Sequence, residues 1–210
     1  MTAEHPLLTL LLEAADGRFP PVDGEVTVLP GLGRGLSCSV AFTGHAVVAT
    51  GLPASGVRAH GANGFGGSMT PDFLRWLAGP DHVIGEVDVI LTARGTAGSP
   101  KLTPRQSLSQ HPRVRYARAV RTQVEVFGDE RGFVTLAQGL AGRRELSIEL
   151  ENPGAGQGRS LLADALDLVP AGAPVFAAVS PGNARSLRAF LAAGFTPIGS
   201  ESLIRPADHS

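Results

Sequence analysis

From Glu145 to Val169 the recurrence of apolar residues changes from every second position to the helical spacing of about 3.6, and the change falls across three glycines. Glu145, Ser147, Glu149 and Glu151 alternate with Leu146, Ile148 and Leu150, so the segment reads as a strand with one acidic face and one core face. Asn152-Pro153-Gly154-Ala155-Gly156-Gln157-Gly158 follows. Leu161, Leu162, Ala165, Leu166 and Val169 then fall at i, i+1, i+4, i+5 and i+8, the apolar stripe of a helix over residues 159–169. Glycines lack a Cβ, so successive amides can turn toward a ligand where a helix N-terminus offers unpaired N–H donors and positive dipole. A phosphate fits there; a connector that binds nothing is the alternative. Arg159 and Ser160 add a positive charge and a hydroxyl, and an Arg in the first turn opposes the dipole, so helix stability is not its reason for being there.

The segments around this junction define the fold class. A helix is predicted over residues 4–15, with Leu7, Leu8, Leu11 and Leu12 on one stripe, and strands over 26–29, 36–42 and 46–49, with a hairpin turn at Thr43-Gly44. After a glycine-rich stretch, Thr70-Pro71-Asp72 offers an N-cap and a first-turn proline for a helix to Ala78 that buries Phe73, Leu74 and Leu77, with Trp76 packing beside it. Residues 83–92 read as a strand and 95–104 as a loop that marks a boundary. Beyond it come a helix over 112–119, strands over 122–127, 133–138 and 145–151 in an antiparallel meander, the glycine loop and helix, and a buried strand over 175–179. A helix carrying Leu187, Phe190 and Leu191 and ending at Gly194 follows, and then a strand over 195–204. The expectation is an α/β chain of the α+β kind: a mixed central sheet flanked by helices over residues 101–206, with a smaller α/β region over 1–100. Superposing Gly64-Phe65 on Gly194-Phe195 also matches Arg58 with Arg188, Ala59 with Ala189, Ala62 with Ala192 and Ala54 with Ala184, so residues 1–100 read either as a degenerate copy of the second half or as a chance echo.

Composition excludes several function classes. The 210 residues, 43% hydrophobic and 18% charged, suffice for a folded core, and the net charge of −1 with Lys101 as the only lysine gives no polyanion-binding signature, so nucleic acid is not an expected partner. The charge is divided unevenly: residues 1–100 hold 5 basic and 9 acidic side chains and residues 101–210 hold 13 and 10, so the second half suits a modest anionic ligand. Cys38 is alone, which removes an intrachain disulfide and a zinc site, so no metal is expected and a reducing, cytoplasmic setting fits. Leu7 to Leu12 is too short for a membrane span and no basic residue precedes it as in a signal peptide, so no membrane partner is expected.

Two phosphate ligands fit the loop poorly. A triphosphate loop needs four residues between its first glycine and Gly-Lys-Ser/Thr, whereas three separate Gly154 from Gly158 and Arg159 stands in place of the lysine. A dinucleotide loop needs Gly-x-Gly-x-x-Gly and an acid at the end of the next strand, which here reads Val179-Ser180-Pro181. The third candidate is coenzyme A. Gly154-Ala155-Gly156-Gln157-Gly158-Arg159-Ser160-Leu161-Leu162, following a meander strand, resembles the pyrophosphate loop and helix of the GNAT superfamily of acyl-CoA-dependent N-acyltransferases. The run from Val179 through Asn183, Arg185, Ser186, Leu187 and Phe190 to Gly194-Phe195 resembles that family's strand-Asn-helix-Gly-Phe element. The resemblance covers roughly residues 110–204.

What the resemblance implies is a gap between the 145–151 and 175–179 strands that admits the pantetheine arm of acetyl-CoA. The residues bound to that cosubstrate would be Leu150, Glu151, Gly154, Ala155, Gly156, Gln157, Gly158, Arg159, Ser160, Asn183, Ser186 and Phe190. Pro153 replaces the usual Arg or Gln before the first loop glycine, and Phe190 replaces the Tyr that often serves as general acid, with Tyr116 as a substitute donor. Acyl transfer to an amine calls for a base, and Glu145, at the start of its strand, is the first candidate and Glu149 the second. Arg113, Arg115 and Arg118 suit an acidic acceptor or a solvated face, and the dispersed histidines show no ligand spacing. The expected function is an N-acetyltransferase acting on a primary amine of a small molecule or protein. A catalytically silent acyl-CoA sensor is the alternative from another class, and a nucleotide-binding oxidoreductase or regulator a third. Residues 1–100 complete the acceptor wall or provide a homodimer face.

Overall fold

The computed structural model describes residues 4–152, 154 and 156–207, and is mixed α/β, with helices flanking sheet in each of two compact units. One unit runs to Ile90 and resumes at Ile198, and the other is Leu91–Pro197. Strands β4 (His82–Arg94) and β10 (Thr196–Pro206) begin in one unit and end in the other.

In the first unit, helix α1 (Pro6–Ala15) starts where His5 accepts the Leu7 amide at 3.2 Å and buries Leu7, Leu8, Leu11 and Ala14. Strand β1 (Val26–Leu29) pairs in parallel with β3 (His45–Ala49), which pairs antiparallel with β2 (Ser37–Phe42) through the expected turn at Thr43-Gly44, where Gly44 takes φ 72°. The residues of β10 from Ser200 to Ile204 pair antiparallel with Ala41 to Ser37 of β2. Val26, Ala46, Val48, Val57 and Ile204 form a core with Phe73, Leu74 and Leu77 of α3 (Pro71–Ala78), which Thr70 caps through the Phe73 amide at 3.3 Å. Trp76 stacks on His60 with ring centroids 3.9 Å apart, in keeping with its packing role. A short helix, α2 (Ala54–Ala59), interrupts the stretch read as glycine-rich loop. The superposition noted above places β3 on the 175–179 strand and the first residue of α2 on Ala184. His45 bonds the Asp23 carboxylate at 2.8 Å and the Thr27 hydroxyl at 2.9 Å, and this bond from His45 holds the Asp23 carboxyl below its ordinary range.

The second unit follows the expected order. After β5 (Thr103–Pro104) come α4 (Pro112–Val120), β6 (Thr122–Asp129), β7 (Gly132–Gln138), β8 (Arg144–Leu150), α5 (Gln157–Leu166), β9 (Pro174–Val179) and α6 (Ala184–Ala192). The order across this sheet is β9-β8-β7-β6-β5, with the last residues of β4 beside β9, where the Thr92 hydroxyl donates to the Val175 carbonyl at 3.3 Å. Strands β5 to β8 pair antiparallel and β8 to β9 parallel. The loop over residues 95–102 is fastened to the unit: Gly95 donates to Ala173, Thr96 to Leu166 and Ala97 to Val169, and Leu102 is buried. Among the described residues no helix is long and apolar enough to cross a membrane.

Phe73 is 1% exposed, in the core it shares with Leu74, Leu77 and Val57. Truncation to Phe73→Ala is expected to lower the unfolding free energy by about 3–5 kcal/mol, read in denaturant through the fluorescence of Trp76, the single tryptophan.

Candidate functional site

Strand β8 has unequal neighbours. On one side it is laddered to β7 from Gly132↔Leu150 to Gln138↔Arg144, whereas among the described residues its register with β9 is set at Glu145↔Phe176. A cavity of about 190 Å³ lies along the C-terminal half of β8, lined by Ile148, Glu149 and Leu150, by Asn183, Arg185, Ser186 and Ala189 at the start of α6, and by Arg113 of α4. Four residues predicted from the sequence, Glu149, Leu150, Asn183 and Ser186, therefore converge there. The Asn183 oxygen accepts the Ser186 amide at 3.1 Å, which starts α6 at the cavity wall.

The three loop glycines differ in what their missing Cβ does. Gly156, with φ 75°, forms the left-handed N-cap of α5 without any side-chain cap, and a Cβ built on Gly154 or Gly156 meets nothing within 4 Å. Open space faces both, and the amides that begin a helix have no intrahelical acceptor. Gly158 is buried instead, and a Cβ there would sit 3.2 Å from the Ala189 Cβ and 3.5 Å from Leu150 Cδ1, so this glycine lets α5 approach α6 and β8. Arg159 is exposed at the first turn. Among the described residues, Gln157 Oε1 is buried with no hydrogen-bond partner. Ala155 and Pro153, named from the sequence, lie outside the described residues.

Two of the predicted residues are placed elsewhere than expected. Glu145 is 4% exposed and does not line the cavity: Arg143 Nη2 donates to it at 2.5 Å and Arg121 Nε lies 3.1 Å from its other oxygen. Burial pushes its carboxyl up, but the charges of Arg143 and Arg121 outweigh that and hold it below the usual glutamate range. A carboxylate so held is a poor proton acceptor, which corrects the expectation that Glu145 is the base. The strand alternation placed its side chain on the predicted face; what the alternation could not show is that two arginines fill that face. Phe190 is likewise in the core, 3% exposed and edge-on to Phe195 at 4.9 Å between centroids, rather than on the cavity. Its position four residues before the Gly-Phe turn is what packs it there.

The remaining residues sort by element. Glu149 lines the cavity and accepts from Arg113 Nε, so the helical arginine read as a solvated or acceptor-attracting residue reaches the site. Arg185 lines it as well, a residue quoted in the family-like run but given no role. Glu151 is exposed and its amide donates to the Arg131 carbonyl at 3.0 Å. Tyr116 is 55% exposed on α4 and is not among the lining residues. The Ser160 hydroxyl donates to the Gln157 carbonyl at 3.1 Å and accepts from Arg131 at 3.0 Å.

No protein-family model and no curated protein matches the chain at a significant level. Among solved structures it is similar to an acetyltransferase from the GNAT family from Colwellia psychrerythraea, at 11% identity with a TM-score of 0.38, over 60% of this chain and 58% of that one. The match thus spans less than two thirds of that protein.

Two outcomes follow from this geometry. Glu145→Gln removes the counter-charge facing the buried Arg143 and the partly buried Arg121 and is expected to lower the unfolding free energy at neutral pH by about 3–5 kcal/mol. Because the folded-state pKa is depressed, the wild-type advantage is full above the ordinary glutamate pKa of about 4.3 and shrinks as pH falls through the lower folded value, which denaturant titrations at several pH values check. Gly158→Ala is expected to cost about 1–3 kcal/mol by overpacking, with thermal stability largely restored when combined with Ala189→Gly, whereas the same change at neither Gly154 nor Gly156 gains from that second substitution.

Proposed function

We propose that residues 91–197 bind an acyl-CoA and transfer its acetyl group to a primary amine, as a GNAT-like N-acetyltransferase. The observation that carries this is the cavity along the C-terminal half of β8, against Leu150, Asn183 and Ser186, on the side where the described register with β9 is at Glu145↔Phe176, with an open-faced glycine loop directly after β8. A strand edge left without a partner offers amide and carbonyl groups to an amide-bearing arm, and such an arm pairs as an added strand would. The residues present fit the ligand. Gly154 and Gly156 leave a space that a Cβ would otherwise enter, the positive end of α5 and the exposed Arg159 side chain suit a diphosphate, and Gln157 Oε1 is an acceptor awaiting a donor.

The thioester supplies the activated acyl group, and the chain supplies position and proton traffic. Leu150 and Asn183 would flank the arm, holding the acyl carbon against the β8 end of the cavity. Glu149 would receive the ammonium proton of the acceptor, directly or through water. Its Oε2 is held by Arg113, and its Oε1 has no side-chain partner among the described residues. Arg113 and Arg185 give the cavity wall two positive charges against one carboxylate, which suits an acceptor that carries an acidic group beside its amine.

A second reading has its own observation. Phe190 is in the core, Tyr116 is away from the cavity, and Ser186 supplies the one hydroxyl among the lining residues. Binding without turnover, as an acyl-CoA sensor, is the form the proposal takes if no acceptor is found.

Thermal shift against acetyl-CoA, CoA, NAD and ATP is the first test, with stabilisation expected from the two CoA species alone; equal shifts with NAD or ATP, or none with CoA, would sink the proposal. Thiol release across an amine panel then separates enzyme from sensor. With an active acceptor, Glu149→Gln is expected to lower kcat about 10²–10⁴-fold while CoA affinity is retained, the range for loss of a general base.

A further inference from the structure

We infer that Arg131, in the turn between β6 and β7, is a positioning residue that fixes both ends of the glycine loop for a diphosphate. The inference rests on the acyl-CoA reading above. The Arg131 carbonyl accepts the Glu151 amide at 3.0 Å, where the chain leaves β8. Its guanidinium donates through Nη1 to the Ser160 hydroxyl at 3.0 Å, in the first turn of α5 where the chain leaves the loop, and through Nη2 to Asp164 Oδ2 at 2.6 Å, farther along the same helix. The residues between 151 and 160 are therefore referenced at both ends to one residue that is itself outside the loop.

That residue is in turn held still. Asp129 takes Nε with both oxygens, at 3.1 and 3.0 Å, and Nη2 at 2.5 Å, a two-pronged fit to the planar guanidinium. Lys101 occupies the other oxygen of Asp164 at 2.8 Å. The bond from Arg131 holds the Asp129 carboxyl below its usual range, and for Asp164 the bonds from Lys101 and Arg131 overcome the upward push of burial, so both carboxylates stay charged and keep gripping. The Ser160 hydroxyl passes the constraint inward by donating to the Gln157 carbonyl at 3.1 Å, at the first residue of α5.

The functional consequence concerns ordering. A loop whose two ends are already held loses less freedom when an anion arrives, whereas a loop free at one end must be ordered by the ligand itself. Losing the clamp should weaken ligands that use the loop and spare those that use only the β8 edge. Charge alone would not substitute: a lysine at position 131 carries the charge but lacks the planar fork that reaches Ser160, Asp164 and Asp129 together.

The test is a pair of affinities on the full chain, CoA by calorimetry and pantetheine, which lacks the diphosphate, by ligand-observed NMR. Arg131→Met and Arg131→Lys are both expected to raise the Kd for CoA at least tenfold and to leave that for pantetheine within twofold of wild type. Ser160→Ala, a milder change that removes one bond of the clamp, is expected to raise the CoA Kd several-fold and to serve if the Arg131 variants fold poorly. CoA affinity unchanged in Ser160→Ala and the Arg131 variants overturns the inference, as does full retention in Arg131→Lys, which would make charge the operative property. Equal losses for CoA and pantetheine overturn it too, since they mark general damage. If wild type binds no CoA, the acyl-CoA reading has failed and takes the inference with it.

Discussion

A parallel pair of strands that stays in register along its length closes its edge groups to everything else, so a ligand site beside β8 depends on how far its pairing with β9 extends. Among the described residues the two strands share a register at Glu145↔Phe176, whereas the ladder from β8 to β7 runs on to Leu150, and a cavity lies along the C-terminal half of β8. Glu145 stands at the shared register position. Its two arginine partners come from the same strand's approach, Arg143, and from the end of α4, Arg121, so the charge cluster ties strand and helix together there. A buried ion pair of this kind rarely adds net stability over an apolar packing of equal volume, but it tolerates only one arrangement of its members.

The glycine loop obeys a second constraint, which is that a helix can begin only where its first amides are answered or exposed. At α5 the Gln157 amide is answered by the Gly154 carbonyl at 3.0 Å. Gly156 in the left-handed region lets the chain turn into the helix without a capping side chain, and Gly158 brings the helix down onto Ala189 and Leu150. The same short stretch thus combines an open turn that glycine permits with a close-packed first turn, and Arg131 bonds to Ser160 and Asp164 of the helix that follows.

The order of elements in the second unit was largely legible, because each long segment carries an unmixed period: alternation over 145–151, helical spacing over 159–169, and a buried run over 175–179. The helix α2 was not, since Ala54-Ser55-Gly56-Val57-Arg58-Ala59 contains weak helix formers and buries only Val57. At the site, periodicity gave the faces of side chains but not their partners. Glu145 and Glu149 share a strand face, yet one meets Arg143 and Arg121 and the other the cavity, and Arg121 is too far along the chain for spacing to reveal it. The three glycines look alike as letters and separate only when a Cβ is built on each. Arg131 left no trace in the sequence at all, because a turn arginine is ordinary until Asp129 of β6, Ser160 and Asp164 of α5 and the Glu151 amide after β8 are seen around it.

The first unit is written in two pieces, residues up to Ile90 and from Ile198 on, and β10 supplies a strand that pairs with β2 from Ser200↔Ala41 to Ile204↔Ser37. During synthesis, β2 therefore leaves the ribosome long before the strand that completes its hydrogen bonding exists, and the whole of residues 91–197 is made in the interval. Contacts this distant along a chain form late and slowly. A nascent chain would accordingly present β2 as a bare edge until residues 200–204 emerge, so a chaperone, or a stalled or truncated message, acts on a half-finished sheet, whereas the contacts within residues 91–197 can form in the interval.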